Sequence, residues 1–145
     1  YYCCRCAIAL PSSCTRITGA QFYKFNIVGF LHWGYNFYFN QYSIKPINPY
    51  RVTDGEYFIP SGDAFTVYPA PDGTAYESIR LVAFHEGIQD MRALKLCEKL
   101  YGREYVVNLI EESINEPLTF KEFPANADYL LNLREKVNKA VKAKK

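Results

Sequence analysis

Ile27-Val28-Gly29-Phe30-Leu31-His32-Trp33 is an almost uninterrupted apolar run, the mark of a strand covered on both faces in a parallel sheet. It restricts the fold more than any other segment. Tyr1–Cys4 reads as a second, short buried strand. Between the two, Pro11-Ser12-Ser13 offers a helix start with serine as N-cap. Ile17, Ala20 and Tyr23 then keep helical spacing as far as about Lys24, and Asn26 ends the run. Strand, helix, strand is a βαβ unit with a right-handed crossover. Two strands do not make a sheet, because each leaves an edge and a face uncovered. The remaining strands are therefore expected from further sequence or from another chain, and the start at Tyr1, within a strand, fits a piece of a longer protein.

The 145 residues are 49% hydrophobic and 22% charged, the balance of a globular domain able to bury a core. Net charge is only +2, and nucleic-acid binders carry a clustered basic field. The one basic cluster, Lys136, Lys139, Lys142, Lys144 and Lys145, suits the solvated C-terminal end of a helix. No nucleic-acid partner is expected. No apolar run reaches the length of a membrane span, so no membrane partner is expected either. Cys3, Cys4, Cys6, Cys14 and Cys97 are an odd set without CxxC spacing, which suggests buried thiols rather than a disulfide framework or zinc site. No metal or cofactor is called for.

From Phe39 to Pro71 the chain is loop-like, punctuated by Pro46, Pro49, Pro60, Pro69, Pro71 and by Asp54-Gly55, Ser61-Gly62-Asp63 and Asp72-Gly73. A loop of this length is more often functional than decorative. Ala64–Tyr68 fits a small strand or hairpin arm. Glu77–Tyr101 is the clearest helix, with Ile79, Val82, Phe84 or Ala83, Ile88, Met91, Leu94 and Cys97 expected on its apolar side, Arg80, Glu86, Arg92 and Lys95 on the other, and Gly102 ending it. Further helices are expected over about Glu104–Ile114 and Asn126–Lys142.

Functional residues of a parallel sheet gather at the C-terminal ends of its strands. His32, Trp33, Tyr35 and Asn36 hold that position, in the region where the chain's aromatic content of 17% is concentrated. An indole face stacks on the apolar side of a pyranose while Tyr35 and Asn36 bond hydroxyls; alternatively the aromatics cap the core. His32 suits either a general base or a satisfied core histidine. Asp63 reaches back to bind a hydroxyl or caps its turn. Glu86 and Asp90 share a helix face and are expected to form ordinary surface salt bridges with Arg80, Arg92 or Lys95. No phosphate loop, HExxH, GxSxG or adjacent carboxylate pair in a strand is present.

Tyr-Tyr-Cys-Cys at 1–4, Ile8-Ala9-Leu10-Pro11-Ser12, Gln21-Phe22-Tyr23-Lys24-Phe25-Asn26, Gly29-Phe30-Leu31-His32-Trp33-Gly34-Tyr35-Asn36, Pro60-Ser61-Gly62-Asp63, Val67-Tyr68-Pro69, Glu77-Ser78-Ile79-Arg80-Leu81, Gln89-Asp90 and Tyr129 to Asn138 closely resemble the domain-of-unknown-function group related to glycoside hydrolase family 123. The resemblance implies an α/β fold, the C-terminal portion of a (β/α)8 TIM-type barrel followed by additional C-terminal helices. On this view 1–101 holds the last two β/α units with a long loop at 39–76, and 102–145 is a helical extension. The family's activity resembles β-N-acetylhexosaminidase or galactosaminidase chemistry, in which the substrate's 2-acetamido group attacks its own anomeric carbon. That chemistry is an exception to the two-carboxylate scheme. Its Asp-Glu pair lies upstream in the family, so no catalytic residue is assigned here. Trp33 is implied as a wall of the sugar pocket, with Tyr35, Asn36 and Asp63 beside it. One departure is the connection from Cys4 to Ile8, several residues shorter than usual, which alters the pocket rim.

The resulting expectation is a glycoside hydrolase-like chain that contributes substrate-binding residues Trp33, Tyr35, Asn36, Asp63 and His32, is inactive alone, and meets a carbohydrate with a terminal N-acetylhexosamine. The alternatives are a non-catalytic carbohydrate-binding module and a structural fragment that self-associates through exposed strand edges.

Overall fold

The structure is a computed structural model and describes residues 6–144. The expected strand Tyr1–Cys4, with Cys3 and Cys4, lies outside the described residues. The chain is mixed helix and strand and divides into two compact units. One gathers Tyr1–Pro11, as far as it is described, with Gly29–Val82; the other gathers Ser12–Val28 with Ala83–Lys145.

The second unit is helical. The expected first helix is two pieces, α1 (Ser12–Arg16) and α2 (Thr18–Lys24), joined through Ile17, whose backbone stays in the right-handed helical region. Helices α3 (Ile79–Tyr101, of which Ala83 onward belongs to this unit), α4 (Arg103–Glu111) and α5 (Ala127–Ala143) follow. Gly102, at φ +85°, separates α3 from α4 in a conformation that favours glycine. Asn126 caps α5 by accepting from the Tyr129 amide at 2.8 Å. The core takes Ile17, Ala20 and Tyr23 from the first pair, Leu94 and Cys97 from α3, Val106 and Ile110 from α4, and Tyr129, Leu130, Leu133 and Val137 from α5. Each set keeps the spacing of one helix face.

The buried face of α3 agrees with the predicted one at Ala83, Leu94 and Cys97 and departs from it elsewhere. Ala83, Gly87, Asp90, Leu94 and Cys97 are buried at alternating spacings of four and three, whereas Ile79 and Val82 lie in solvent. Backbone approach explains the difference. A Cβ on Gly19 would fall 1.8 Å from the Gly87 carbonyl oxygen, and one on Gly87 would fall 2.5 Å from that of Arg16. Only glycines permit this crossing. One turn on, Asp90 accepts from Arg16 at 2.7 Å (Nε) and 3.1 Å (Nη2), and from Arg134 Nη1 at 2.6 Å. Asp90 is thus a buried carboxylate held between α1 and α5, not a member of a surface salt bridge along its own helix. Its fork in turn raises the Arg16 pKa, chiefly through the hydrogen bond.

The first unit carries the only sheet among the described residues, an antiparallel pair β1 (Val67–Pro69) and β2 (Ala75–Glu77) with Val67 opposite Glu77. Its turn is closed by Gly73 N–H to Ala70 at 3.1 Å and by Asp72, which accepts from the Thr74 hydroxyl at 2.6 Å and amide at 3.0 Å. Those bonds, the hydroxyl's first, hold the Asp72 carboxyl below its ordinary range. The expected strand Ile27–Trp33 is irregular apart from one bridge position at Leu31. A strand exists through its ladder, and the partner expected for this one lies outside the described residues.

Cys6, Cys14 and Cys97 are buried, and burial raises the Cys97 pKa. Among the described residues no three His, Cys, Asp or Glu side chains cluster as a metal site would require. Among the described residues no helix is long and apolar enough to cross a membrane.

Alanine in an exposed helix interior stabilises by about 1 kcal/mol over glycine. Here the sign reverses: Gly19→Ala and Gly87→Ala each lose about 1–3 kcal/mol through overpacking. Gly29→Ala, with nothing within 4 Å of its new methyl, stays within about 0.5 kcal/mol of the parent. Urea melts of the three variants check this, and a stabilised Gly19→Ala or Gly87→Ala contradicts the crossing.

Candidate functional site

Trp33, Gly34 and Ala64 define the local geometry of the first unit. A Cβ on Gly34 would lie 2.6–2.8 Å from backbone atoms of Ala64, so the two segments touch backbone to backbone. They are then stitched together by Phe37 N–H to Ala64 O at 3.0 Å, by Thr66 N–H to Tyr35 O at 2.8 Å and by an antiparallel bridge between Asn36 and Phe65. This pairing brings Trp33 to the Ser61-Gly62-Asp63 turn. Gly62 sits at φ +82° and donates its amide to Thr53 O at 2.7 Å.

At this turn the indole Nε1–H donates to Asp63 Oδ2 at 3.1 Å, while the Cys6 amide donates to Oδ1 at 3.2 Å. Asp63 is fully buried. An anion out of water is tolerated only when hydrogen-bonded, and here each carboxylate oxygen has an N–H donor. The bond fixes the rotation of a half-buried tryptophan. Phe37 and Phe58 pack against the same ring at centroid distances of 5.5 and 5.8 Å, the first tilted by 57° and the second T-shaped at 74°, the latter an arrangement aromatic quadrupoles favour.

The five predicted residues are distributed unevenly. Trp33 and Asp63 bond to each other. Tyr35 and Asn36 commit their backbones to the pairing with 65–67 and leave their side chains exposed. His32 stacks nearly parallel to Phe30, with centroids 6.5 Å apart. Sequence reading missed Phe37 and Phe58 as the supports of the indole, since nothing in their spacing distinguishes them from core aromatics. It also missed Arg80, which it placed on the polar side of α3. Arg80 is buried, donates to Phe65 O at 2.7 Å and Tyr68 Oη at 3.3 Å, and lies over the Tyr68 ring. It thereby anchors the strand that follows Asp63.

An ordered aromatic ring with a fixed edge is a surface suited to a flat, partly apolar ligand. The model of the glycoside hydrolase 123 catalytic domain matches residues 1–97 of the 145. The chain belongs to the glycoside hydrolase 123 family. Its substrate class is accordingly carbohydrate, and the chain is a glycoside hydrolase-like domain part. No curated protein matches it. The family match covers all of the first unit, including Trp33, Asp63 and the loop between them.

Replacing Asp63 tests the arrangement. Asp63→Ala leaves two buried N–H groups without an acceptor and costs about 1.5–3 kcal/mol for each charge-assisted bond lost. Asp63→Asn keeps one acceptor oxygen and falls between. Trp33 is the only tryptophan, so its emission reads the local change directly. Expected are a shifted emission maximum in both variants and melting temperatures in the order parent, Asn, Ala; unchanged emission in Asp63→Ala contradicts the bond.

Proposed function

We propose that this chain supplies the aromatic, sugar-stacking side of a hydrolase site for glycans ending in N-acetylhexosamine, with Trp33 as the wall on which the terminal ring rests. The observation that carries the reading is the indole itself: half-buried, oriented by a buried carboxylate, and packed against two phenylalanines. Tyr35 and Asn36, exposed beside it, are the hydroxyl-binding candidates, and His32 is a further one. Asp63 serves the sugar through the indole it orients, because its own oxygens already accept from Trp33 and Cys6.

In this reading the hydrolysis is substrate-assisted and retaining. The Asp that orients the acetamido group and the Glu that protonates the leaving oxygen come from outside these residues. In the intact barrel Tyr1–Cys4 and Ile27–Trp33 would form the last two strands, with 1–101 as its last two β/α units and 102–145 as a helical extension. Support comes from Val28, fully exposed at 104%, and Leu31, at 66%, apolar side chains that neighbouring strands and helices of a parallel sheet would cover. The same exposure favours a second reading, self-association of the chain through this segment.

Titration of the chain with N-acetylgalactosamine is expected to quench Trp33 emission saturably, and Trp33→Ala, read by calorimetry, to abolish binding while also lowering the melting temperature, because Asp63 loses a donor. Turnover of an aryl N-acetylhexosaminide by the chain alone is expected to be nil. Absence of any sugar-dependent quench refutes the pocket assignment. Turnover by the chain refutes the assignment of the acid elsewhere. A dimer in light scattering that Leu31→Lys dissolves, with no sugar binding, favours the second reading.

A further inference from the structure

The loop of the first unit holds two aromatic side chains that its packing does not explain. Tyr38 and Tyr50 are anchored, their hydroxyls donating to Val67 O at 2.8 Å and Pro69 O at 2.7 Å. Tyr42 and Tyr57 are 83% and 98% exposed, and among the described residues neither side chain makes a hydrogen bond or ring contact. Both also occupy the left-handed region, Tyr42 at φ +59° followed by Ser43 at +56°, and Tyr57 at +67° after Glu56 at +65°. A bulky residue there is strained because its Cβ crowds the following carbonyl oxygen, and a ring left in water recovers nothing by burial. Such strain persists where the surroundings impose it, which is typical of ligand clamps.

The surroundings do impose it. Asn40 closes its turn by donating its amide to Lys45 O at 3.1 Å and accepting the Lys45 amide on Oδ1 at 2.9 Å. Asp54 closes the second turn, its carbonyl accepting from Phe58 and Ile59 at 3.0 and 3.1 Å and its Oδ1 from Glu56 at 3.1 Å. Glu56 then joins the two, pairing with Lys45 Nζ at 2.7 Å and accepting from Asn40 Nδ2 at 3.3 Å. Lys45, first among these partners, holds the Glu56 carboxyl below its ordinary range. The turn bearing Tyr42 and the turn bearing Tyr57 are therefore one cross-linked piece.

That piece continues the tryptophan site. Phe58, next to Tyr57, packs T-shaped against Trp33, and rings succeed one another from Trp33 to Phe37 to Phe39 at 5.5 and 6.0 Å, ending beside Asn40. The charges between Phe39 and Ile59 are Lys45 and Arg51 against Asp54 and Glu56, a balance that attracts neither an anionic nor a cationic partner. We infer that Tyr42 and Tyr57 are outer stacking positions for a neutral oligosaccharide whose terminal sugar lies on Trp33, so that the site takes a glycan chain rather than a single sugar. The inference rests on the proposed role of Trp33.

Asparagine tolerates the left-handed region, so Tyr42→Asn and Tyr57→Asn remove the ring and keep the backbone. The chain and both variants, single and combined, are titrated through Trp33 emission with N-acetylgalactosamine and with a neutral tetrasaccharide ending in it. The parent is expected to bind the tetrasaccharide about tenfold or more tightly than the monosaccharide, from two stacking contacts. The double variant should lose that gain, bind the monosaccharide within about twofold of the parent, and melt no lower than it. Equal affinity of the parent for the two sugars overturns the inference while leaving Trp33 as a monosaccharide wall. Loss of monosaccharide binding in the double variant overturns it in favour of a structural role. Self-association abolished by the substitutions, without a chain-length effect, overturns it in favour of a protein contact. If neither sugar quenches Trp33, the proposed role of Trp33 falls and this inference falls with it.

Discussion

A buried carboxylate holds the first unit together. Regular structure there is slight, two strands of three residues each, so the segments must be tied by individual bonds. Asp63 receives an indole N–H from a residue 30 positions away and a backbone N–H from one 57 positions away. In water these bonds would contribute little. Out of water an unmet charge is expensive enough that the segments carrying the donors are obliged to stay. The contact of Gly34 with Ala64 works the same way from the steric side, because the ladder between 35–37 and 64–67 closes only if the backbones touch.

The second unit solves a similar problem with helices. Gly19 and Gly87 let α2 and α3 approach until backbone meets backbone, and the same stretch of α3 presents Asp90 to Arg16 and Arg134. The triad need not add much net stability, since desolvation offsets much of the attraction. Its geometry is nonetheless selective. A bidentate fork from α1 and a single bond from α5 are met together at one rotation of α3. Apolar side chains alone, which tolerate repacking, would not fix that rotation so closely.

Helix positions were legible in the sequence because the residues that end helices are local: Gly102 after α3, Asn126 before α5, Pro11 before α1. The buried face of α3 was legible only in part, at Ala83, Leu94 and Cys97. Hydrophobicity pointed to Ile79 and Val82, whereas the structure buries Arg80, Gly87 and Asp90. A glycine buried for closeness and charges buried in pairs look polar to a periodicity count, and their partners lie 74 and 44 residues from Asp90. At the site, Trp33 and Asp63 were both legible as candidates, but not that they bond to each other. That relation depends on the Gly34–Ala64 contact, which no spacing encodes. Phe58 and the exposed tyrosines of the loop were hidden for a related reason: in a segment rich in aromatics, which rings pack and which face water is a property of the folded chain.

The indole bond also limits how the proposed site can discriminate. A tryptophan facing a sugar ordinarily offers both its face and its N–H. In this chain the N–H is taken by Asp63, so the indole has only its face left to give, and stacking on a face distinguishes poorly among pyranoses of similar shape. Discrimination by hydroxyl orientation, which requires buried polar groups left unpaired by the wrong sugar, must then come from other side chains, of which Tyr35 and Asn36 are the exposed neighbours. What the bond gives in return is preorganisation. A ring whose torsions are already fixed loses little entropy on binding, and for a hydrated ligand with weak individual contacts that saving is a large share of the affinity. The arrangement therefore suits a wall that receives the sugar, with selectivity and bond cleavage assigned to other groups.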